Sequence, residues 1–152
     1  MGQTTLYELG RWESVTRTVT AKDVERFAEA TGDTNPVHLD EAFAATTRFK
    51  HRIAHGMLVG SYISALIGTD FPGPGAIYLS QTMKFIAPVY LGDTLTIRAS
   101  VAGYRPEKEI LTLETVVTNQ HGVKVVTGEA VCLVSEVMST PPLTVDVSGT
   151  YV

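Results

Sequence analysis

The feature that most constrains the fold is the uncharged segment between Gly56 and Ile67, with the sequence GMLVGSYISALI. Its residues are apolar or small nearly all round, so a helix here should be covered by other parts of the chain on all sides. The apolar stretch from Gly56 to Gly68 is too short to cross a bilayer, which takes about 20 residues. We therefore expect a buried central helix in a globular protein and no membrane-spanning segment.

The sequence after the loop FPGPG changes to a period of two, in which apolar and polar residues alternate. This pattern predicts strands over 77–85, 95–101, 111–117 and 123–134, with a further strand over 11–19. The breaks between the later strands are short and turn-like, which favours antiparallel meander pairing. The fold class expected is α+β, with one antiparallel sheet curled around the apolar helix.

Length and charge limit the possible organisation and partners. The 152 residues predict one domain over 1–138, followed by a loosely held tail over 139–152 that contains two prolines and little pattern. The net charge is −4 and no run of Lys or Arg occurs. Nucleic acid and anionic membranes are therefore not expected as partners.

Cysteine usage and the N-terminus bear on the compartment. The one cysteine, Cys132, lies in an apolar run, and a core position is a better interpretation than a nucleophile. A single cysteine permits no intrachain disulfide and fits a reducing compartment. The N-terminus shows no basic patch followed by an apolar stretch, so a cytoplasmic location is expected.

Two short helices are predicted in the first third of the chain. Thr20 and Asp23 have the spacing of a capping box, and Gly32 is a plausible stop for the helix that follows them. Asp40 could cap a second helix that continues to about Thr46.

The polar segment between these helices, GDTNPVHLD, places Asp33 and His38 five residues apart. Pro36 disfavours helix at Asn35, so we expect a constrained turn in which a carboxylate and an imidazole are positioned for proton transfer. Alternatively, Asp33 makes only an Asx turn and His38 is an ordinary surface group. Asn35 could hold the turn or touch a substrate. The spacing matches no established ligand pattern, so no metal is expected.

Gly56 lies at the predicted N-terminus of the apolar helix. A free backbone N–H there, with the helix dipole behind it, would polarise a carbonyl oxygen. The alternative is that glycine lets the chain enter the helix at close quarters. For the preceding His55, a structural hydrogen bond is favoured over a catalytic role.

These segments resemble a known family. The stretch from TGDTNPVHLD to IAHGMLVGSYISALIG resembles the hydratase motif of MaoC-like proteins, specifically the (R)-specific enoyl-CoA hydratases, and IYLSQTMKFIAPVYLGDTL and VVTGEAV are similar to it too. The resemblance spans roughly residues 8 to 136. It implies the hot dog fold, a homodimer and reversible hydration of trans-2-enoyl-CoA to (R)-3-hydroxyacyl-CoA.

The resemblance also implies roles for individual residues. Asp33 and His38 would hold one water and act as base and acid, and the Gly56 N–H would stabilise the enolate oxygen. No cofactor is implied, because coenzyme A enters as part of the substrate. No G-x-G-x-x-G or P-loop motif points to a nucleotide cofactor either.

Substrate binding is expected along one face of the apolar helix, where Gly56, Gly60, Ser64 and Ile67 recur at helical spacing. The alternative is that Gly60 and Ser64 are small only so that the sheet can pack closely. Competing functions are a hot dog thioesterase, a (3R)-hydroxyacyl-acyl-carrier-protein dehydratase and a non-catalytic acyl-thioester-binding domain. A basic patch at the pocket mouth would favour the carrier-protein substrate.

Overall fold

The computed structural model describes residues 6–137 and 143–151. In chain order its regular elements are β1 (Trp12–Thr18), α1 (Ala21–Thr31), α2 (Pro36–Leu39), α3 (Glu41–Ala45), α4 (Gly56–Thr69), β2 (Ile77–Phe85), β3 (Thr94–Arg105), β4 (Ile110–Thr118) and β5 (Lys124–Leu133). The predicted strands are all present, and α4 is the predicted apolar helix. Among the described residues, no helix is both long enough and apolar enough to cross a membrane.

The predicted start and stop of α1 are confirmed. The Asp23 N–H donates to the Thr20 hydroxyl oxygen at 3.1 Å, and the Thr20 N–H donates to the Asp23 carboxylate at 3.2 Å. This reciprocal pair satisfies backbone donors that have no partner inside the helix. Gly32 ends the helix with a φ of 80°, a conformation that glycine adopts without steric cost.

The sheet is antiparallel throughout and has the strand order β1-β3-β4-β5-β2. The predicted meander is correct for β3, β4 and β5, but it is wrong for β2, which pairs with β5. The chain between β2 and β3 does not form a hairpin. Instead the Val89 carbonyl accepts a hydrogen bond from Ala54 at 2.7 Å, and Tyr90 bridges to Ile53. These contacts with the segment ahead of α4 carry the chain across to the far side of the sheet.

The helix α4 is covered on one side only. Its buried face contains Leu58, Val59, Tyr62, Ile63, Leu66 and Ile67. Each large apolar side chain buried in this way contributes about 1.5–3 kcal/mol. The expectation of cover on all sides is therefore wrong for a single chain, because one sheet wraps only part of the helix. The uncovered face carries Met57 and the small residues Ser61, Ser64, Ala65 and Gly68.

The edge strand β2 is unusually apolar for an exposed element. Ile77, Leu79 and Phe85 are each about half exposed, at 49%, 51% and 53%. Natural edge strands usually carry charges or prolines that discourage pairing with another chain. Together with the uncovered face of α4, this edge leaves apolar surface exposed on the single chain.

Two smaller predictions concern Cys132 and the tail. Cys132 is fully buried, and burial raises the pKa of its thiol to about 11, which confirms a core position.

Residues 139–142 and 152 of the predicted tail lie outside the described part of the chain. Residues 143–151 have more pattern than expected, since Val145 bridges to Tyr151 around a turn. In that turn Asp146 accepts hydrogen bonds from the Ser148 and Thr150 N–H groups.

The close pairing of β2 with β5 depends on Gly128, where a Cβ atom would lie only 1.8 Å from the Thr82 carbonyl oxygen. We expect Gly128→Ala to lower the free energy of unfolding by about 1–3 kcal/mol, because the strands must separate locally. Gly103→Ala is the matched control, since a Cβ there meets nothing within 4 Å. Urea denaturation at one fixed protein concentration measures both, and equal stability of the two variants would contradict the assignment.

Candidate functional site

The polar segment after α1 folds into an Asx turn followed by the short helix α2. The Asn35 N–H donates to the Asp33 carboxylate at 3.2 Å, and the Asn35 side-chain oxygen caps α2 by accepting from Val37 at 3.2 Å. The prediction of a turn is correct up to Asn35. It misses the helix over Pro36–Leu39, which begins with proline because the first helical position needs no N–H donor.

His38 is held by the backbone of the segment ahead of α4. Its side chain is buried, with 8% exposed, and its Nδ1 lies 2.7 Å from the Ile53 carbonyl oxygen. A carbonyl oxygen can only accept, so Nδ1 carries the proton in the neutral ring. Nε2 therefore carries the lone pair, and it is the atom of His38 left to exchange a proton.

His55 lies beside His38 and is more deeply buried. Only 1% of it is exposed, and its Nε2 lies 3.0 Å from the Asp33 carbonyl oxygen. The two imidazole rings are 3.9 Å apart between centroids and 31° from parallel. The same reasoning places the proton of neutral His55 on Nε2. Its Nδ1 is buried and has no hydrogen-bond partner within the described residues. The predicted structural role therefore has a specific partner, the Asp33 carbonyl in the turn after α1.

The surroundings of His38 lower the pKa of its imidazole below the usual 6.5. Burial is the largest cause, because it penalises the charged ring. The contact with the Ile53 carbonyl opposes this effect, and the neighbouring His55 adds to it. Neutral His38, with a free lone pair on Nε2, is therefore the form present at neutral pH.

The N-terminus of α4 supplies hydrogen-bond donors. Its first backbone bonds run from Leu58 and Val59 to the His55 carbonyl oxygen. The N–H groups of Gly56 and Met57 have no partner within the described chain. A Cβ at Gly56 would lie 2.9 Å from the Phe85 ring, so glycine is needed where β2 approaches the helix. The position therefore fits both interpretations of Gly56, a free backbone N–H for a carbonyl oxygen and a small residue that permits close packing.

A cavity of about 470 Å³ joins these groups. Asp33, His38, His55 and Gly56 line it, and the apolar part of its wall includes Ile53, Val59, Phe85, Ile86 and Val89. Small-molecule sites typically combine an apolar wall with a few converging polar groups in a volume of this order. The cavity therefore suits an apolar group that carries one reactive polar end.

The other predicted binding residues lie outside this cavity. Asn35 is exposed and its side chain is engaged in the turn. Ser64 is exposed on the uncovered face of α4, and Ile67 is buried in the core. A Cβ at Gly60 would lie 2.6 Å from the Met83 sulfur, which supports the close-packing alternative there. A role for these residues in substrate binding stays a prediction.

Asp33, His38 and His55 each offer one metal-ligating atom within 4.8 Å of the others. Each ring has one nitrogen engaged with a backbone carbonyl, which leaves it one nitrogen for a proton or a ligand. The expectation that no metal binds here stays a prediction.

Comparison with known proteins identifies the family. The profile of the MaoC-like domain matches residues 10–124. The chain belongs to the MaoC-like family. An (R)-specific enoyl-CoA hydratase of Rhodospirillum rubrum is 48% identical over 82% of this chain and 86% of its own length. The corresponding enzyme of Aeromonas caviae is 45% identical over 82% of this chain and 92% of its own.

Solved structures agree with the sequence relatives. The unliganded R-hydratase of Pseudomonas aeruginosa superposes with a TM-score of 0.81 at 46% identity, covering 91% of this chain and 93% of that one. The MaoC-like domain described above thus has the predicted α+β hot dog fold, an antiparallel sheet around the long helix α4.

The lowered pKa of His38 leads to a prediction about the protonation of its ring. Because the pKa of His38 is lowered, its ring should stay neutral as the pH falls to 6.5 and become protonated only below that. Histidine side-chain NMR titration of the full chain measures this directly. In His55→Gln the pKa should rise toward 6.5, because one of the groups that lower it is gone. A wild-type pKa at or above 6.5 would contradict the assignment.

Proposed function

We propose that this protein is an (R)-specific enoyl-CoA hydratase that reversibly adds water to trans-2-enoyl-CoA to give (R)-3-hydroxyacyl-CoA. The main support for the proposal is the way in which three functional groups meet. The Asp33 carboxylate, the His38 imidazole and the N-terminus of α4 line one cavity whose remaining wall is largely apolar. Hydration of an enoyl thioester needs a bound water, a proton acceptor, a donor for the thioester oxygen and room for an acyl chain.

The two side chains can hold the attacking water. Ionised Asp33 only accepts hydrogen bonds, and Nε2 of neutral His38 also accepts. A water between them can therefore donate one hydrogen to each and keep its lone pairs free. One carboxylate oxygen of Asp33 and one ring nitrogen of His38 lie within 4.8 Å of each other. Hydrogen bonds of about 2.8 Å would let a single water bridge two groups at such a separation.

The N-terminus of α4 suits the thioester oxygen. When water adds to the β-carbon, the electron pair of the double bond moves toward the carbonyl and an enolate forms. The free Gly56 N–H and the positive end of the helix dipole would stabilise this charge. Removing one such donor typically costs about 3–4 kcal/mol of transition-state stabilisation.

Asp33 and His38 can supply every proton transfer that the reaction needs. As the water oxygen bonds to the β-carbon, its proton passes to His38 Nε2 and the ring becomes an imidazolium. The imidazolium then delivers a proton to the α-carbon, which regenerates neutral His38. Asp33 orients the water and stabilises the transient positive charge. No redox or metal step is required, so we also propose that the reaction needs no cofactor.

Two of the three competing activities have weaker support. A hot dog thioesterase would need a carboxylate on the central helix, and α4 has none. The buried and hydrogen-bonded His38 argues against a non-catalytic binding domain. A carrier-protein dehydratase would use the same catalytic groups, and it differs only in what holds the thioester.

We also propose that the active form is a homodimer. The apolar edge of β2 and the uncovered face of α4 provide a surface that a second copy can cover. Phe85 and Ile86 belong to that surface and also line the cavity, so dimer formation would complete the wall of the site. A cytoplasmic location is proposed as well, supported by the single, buried cysteine.

The catalytic roles are tested by Asp33→Asn and His38→Gln. His38→Gln should lower the turnover of crotonyl-CoA hydration by about 10²–10⁴-fold, the usual contribution of a positioned proton-transfer group. Asp33→Asn should lower it by a similar factor, because it removes the charge that orients the water and stabilises the imidazolium. Loss of the enoyl thioester's ultraviolet absorbance follows the reaction, and chiral analysis of the product reports its configuration. Thermal melts check that the variants fold. Near-normal turnover in either variant would remove that residue from the mechanism.

The dimer is tested by analytical ultracentrifugation at micromolar concentration. We expect twice the chain mass of 16.4 kDa. Leu79→Lys introduces a charge on the apolar edge and should shift the protein toward monomer. Thr16→Lys, on the opposite edge strand β1, is the matched control and should leave the dimer intact. A wild-type monomer would refute the proposal.

A further inference from the structure

A basic segment lies between α3 and α4, at residues 48–52 with the sequence RFKHR. Arg48, Lys50, His51 and Arg52 thus fall within five positions of a chain whose net charge is −4. The catalytic steps proposed above use none of these side chains. A local excess of positive charge on an acidic protein can attract an anionic ligand.

The basic segment is firmly held by its neighbours. The Tyr90 hydroxyl donates to the Phe49 carbonyl oxygen at 2.9 Å, and the Arg52 side chain donates to the His38 carbonyl oxygen at 2.6 Å. Phe49 N–H also donates to the Thr47 hydroxyl at 3.2 Å. The segment is therefore positioned by the same turn that holds the catalytic imidazole.

The four basic side chains differ in their partners. His51 pairs with Glu41 at 2.8 Å, and Arg52 is engaged with the backbone as described. Arg48 and Lys50 make no ion pair or side-chain hydrogen bond with any described residue. The Arg48 guanidinium lies 5.0 Å from the centre of the Phe49 ring, which can orient it without neutralising it. Two exposed positive charges are thus left free on a fixed segment.

The location of Arg48 connects the segment to the site, and Lys50 follows two residues later without lining the cavity itself. Arg48 and Phe49 line the catalytic cavity together with Asp33 and Gly56. On the other side of the segment, His51, Arg52 and Tyr90 line a second cavity of about 280 Å³. The basic segment therefore borders both the catalytic cavity and a neighbouring surface depression.

We propose that the basic segment is the subsite for the phosphate groups of the thioester's carrier, with Arg48 and Lys50 as the two ionic contacts. This inference rests on the proposed function. With the acyl group in the apolar cavity, the pantetheine arm must leave past the cavity rim. In coenzyme A and in acyl carrier protein alike, that arm ends in a phosphate. Guanidinium groups bind phosphate through paired, charge-assisted hydrogen bonds.

The test compares crotonyl thioesters of coenzyme A, of phosphopantetheine and of pantetheine, which has no phosphate. In the double variant Arg48→Gln/Lys50→Gln, the ratio of KM for the coenzyme A thioester to KM for the pantetheine thioester should rise about 10-fold or more. The matched control Lys22→Gln/Lys108→Gln removes two exposed positive charges that lie outside the basic segment and line neither cavity. Its ratio should stay within about twofold of wild type.

The three substrates also separate the possible sources of the phosphate. A loss that appears already with phosphopantetheine assigns the phosphate that both carriers share, whereas a loss confined to coenzyme A assigns its nucleotide phosphates. An unchanged ratio, or the same change in the control variant, would overturn the proposal. An equal loss with all three thioesters would also overturn it, because the two residues would then act on the acyl or pantetheine portion.

Calorimetric titration with free coenzyme A tests the subsite independently of turnover. Wild type and the Lys22/Lys108 control should bind alike, and the Arg48/Lys50 variant about 10-fold more weakly. If wild type hydrates neither crotonyl-CoA nor crotonyl-pantetheine, the proposed function fails, while this titration still decides the phosphate subsite. Equal affinity of all three proteins, or no binding to wild type, would refute the proposed phosphate subsite.

Discussion

Two hydrogen bonds from buried histidines to backbone carbonyls hold the site together. His38 donates to Ile53 and His55 donates to Asp33, so each ring ties the turn that carries Asp33 to the segment that leads into α4. The two rings also contact each other, with centroids 3.9 Å apart. The hydrogen bonds fix the tautomer of each neutral ring and leave the lone pair of His38 on Nε2. The proton acceptor that we propose is therefore set by the surrounding backbone.

Burial of the two histidines lowers the pKa of His38, which suits its proposed role as a proton acceptor. Desolvation and the neighbouring imidazole disfavour a charged His38, so its pKa falls and the ring stays neutral at physiological pH. An acceptor with a lowered pKa binds a proton only weakly, so in the mechanism that we propose the imidazolium would readily give its proton to the α-carbon. Asp33 lies nearby, and its charge favours the imidazolium. The site balances these opposing effects on one ring.

Local patterns in the sequence predicted the strands, α1 with its Thr20–Asp23 capping box, the apolar helix and the Asp33–His38 pair. They did not predict the pairing of β2 with β5, because that pairing depends on where the chain between β2 and β3 crosses. They also missed the contribution of Arg48 and Phe85 to the cavity, since residues distant in sequence meet there only after folding. For His55 the sequence indicated a hydrogen-bonding role, but its partner, the Asp33 carbonyl, is a backbone atom that no residue pattern encodes.

The small residues of α4 connect folding to function in two different ways. Where β2 contacts the helix, Gly56 and Gly60 allow Phe85 and Met83 to approach so closely that a Cβ atom would collide with either side chain. On the other side, Ser61, Ser64, Ala65 and Gly68 leave a shallow surface uncovered. This uncovered set fits the homodimer that we propose, in which a second copy would cover it and also enclose the cavity near Phe85 and Ile86.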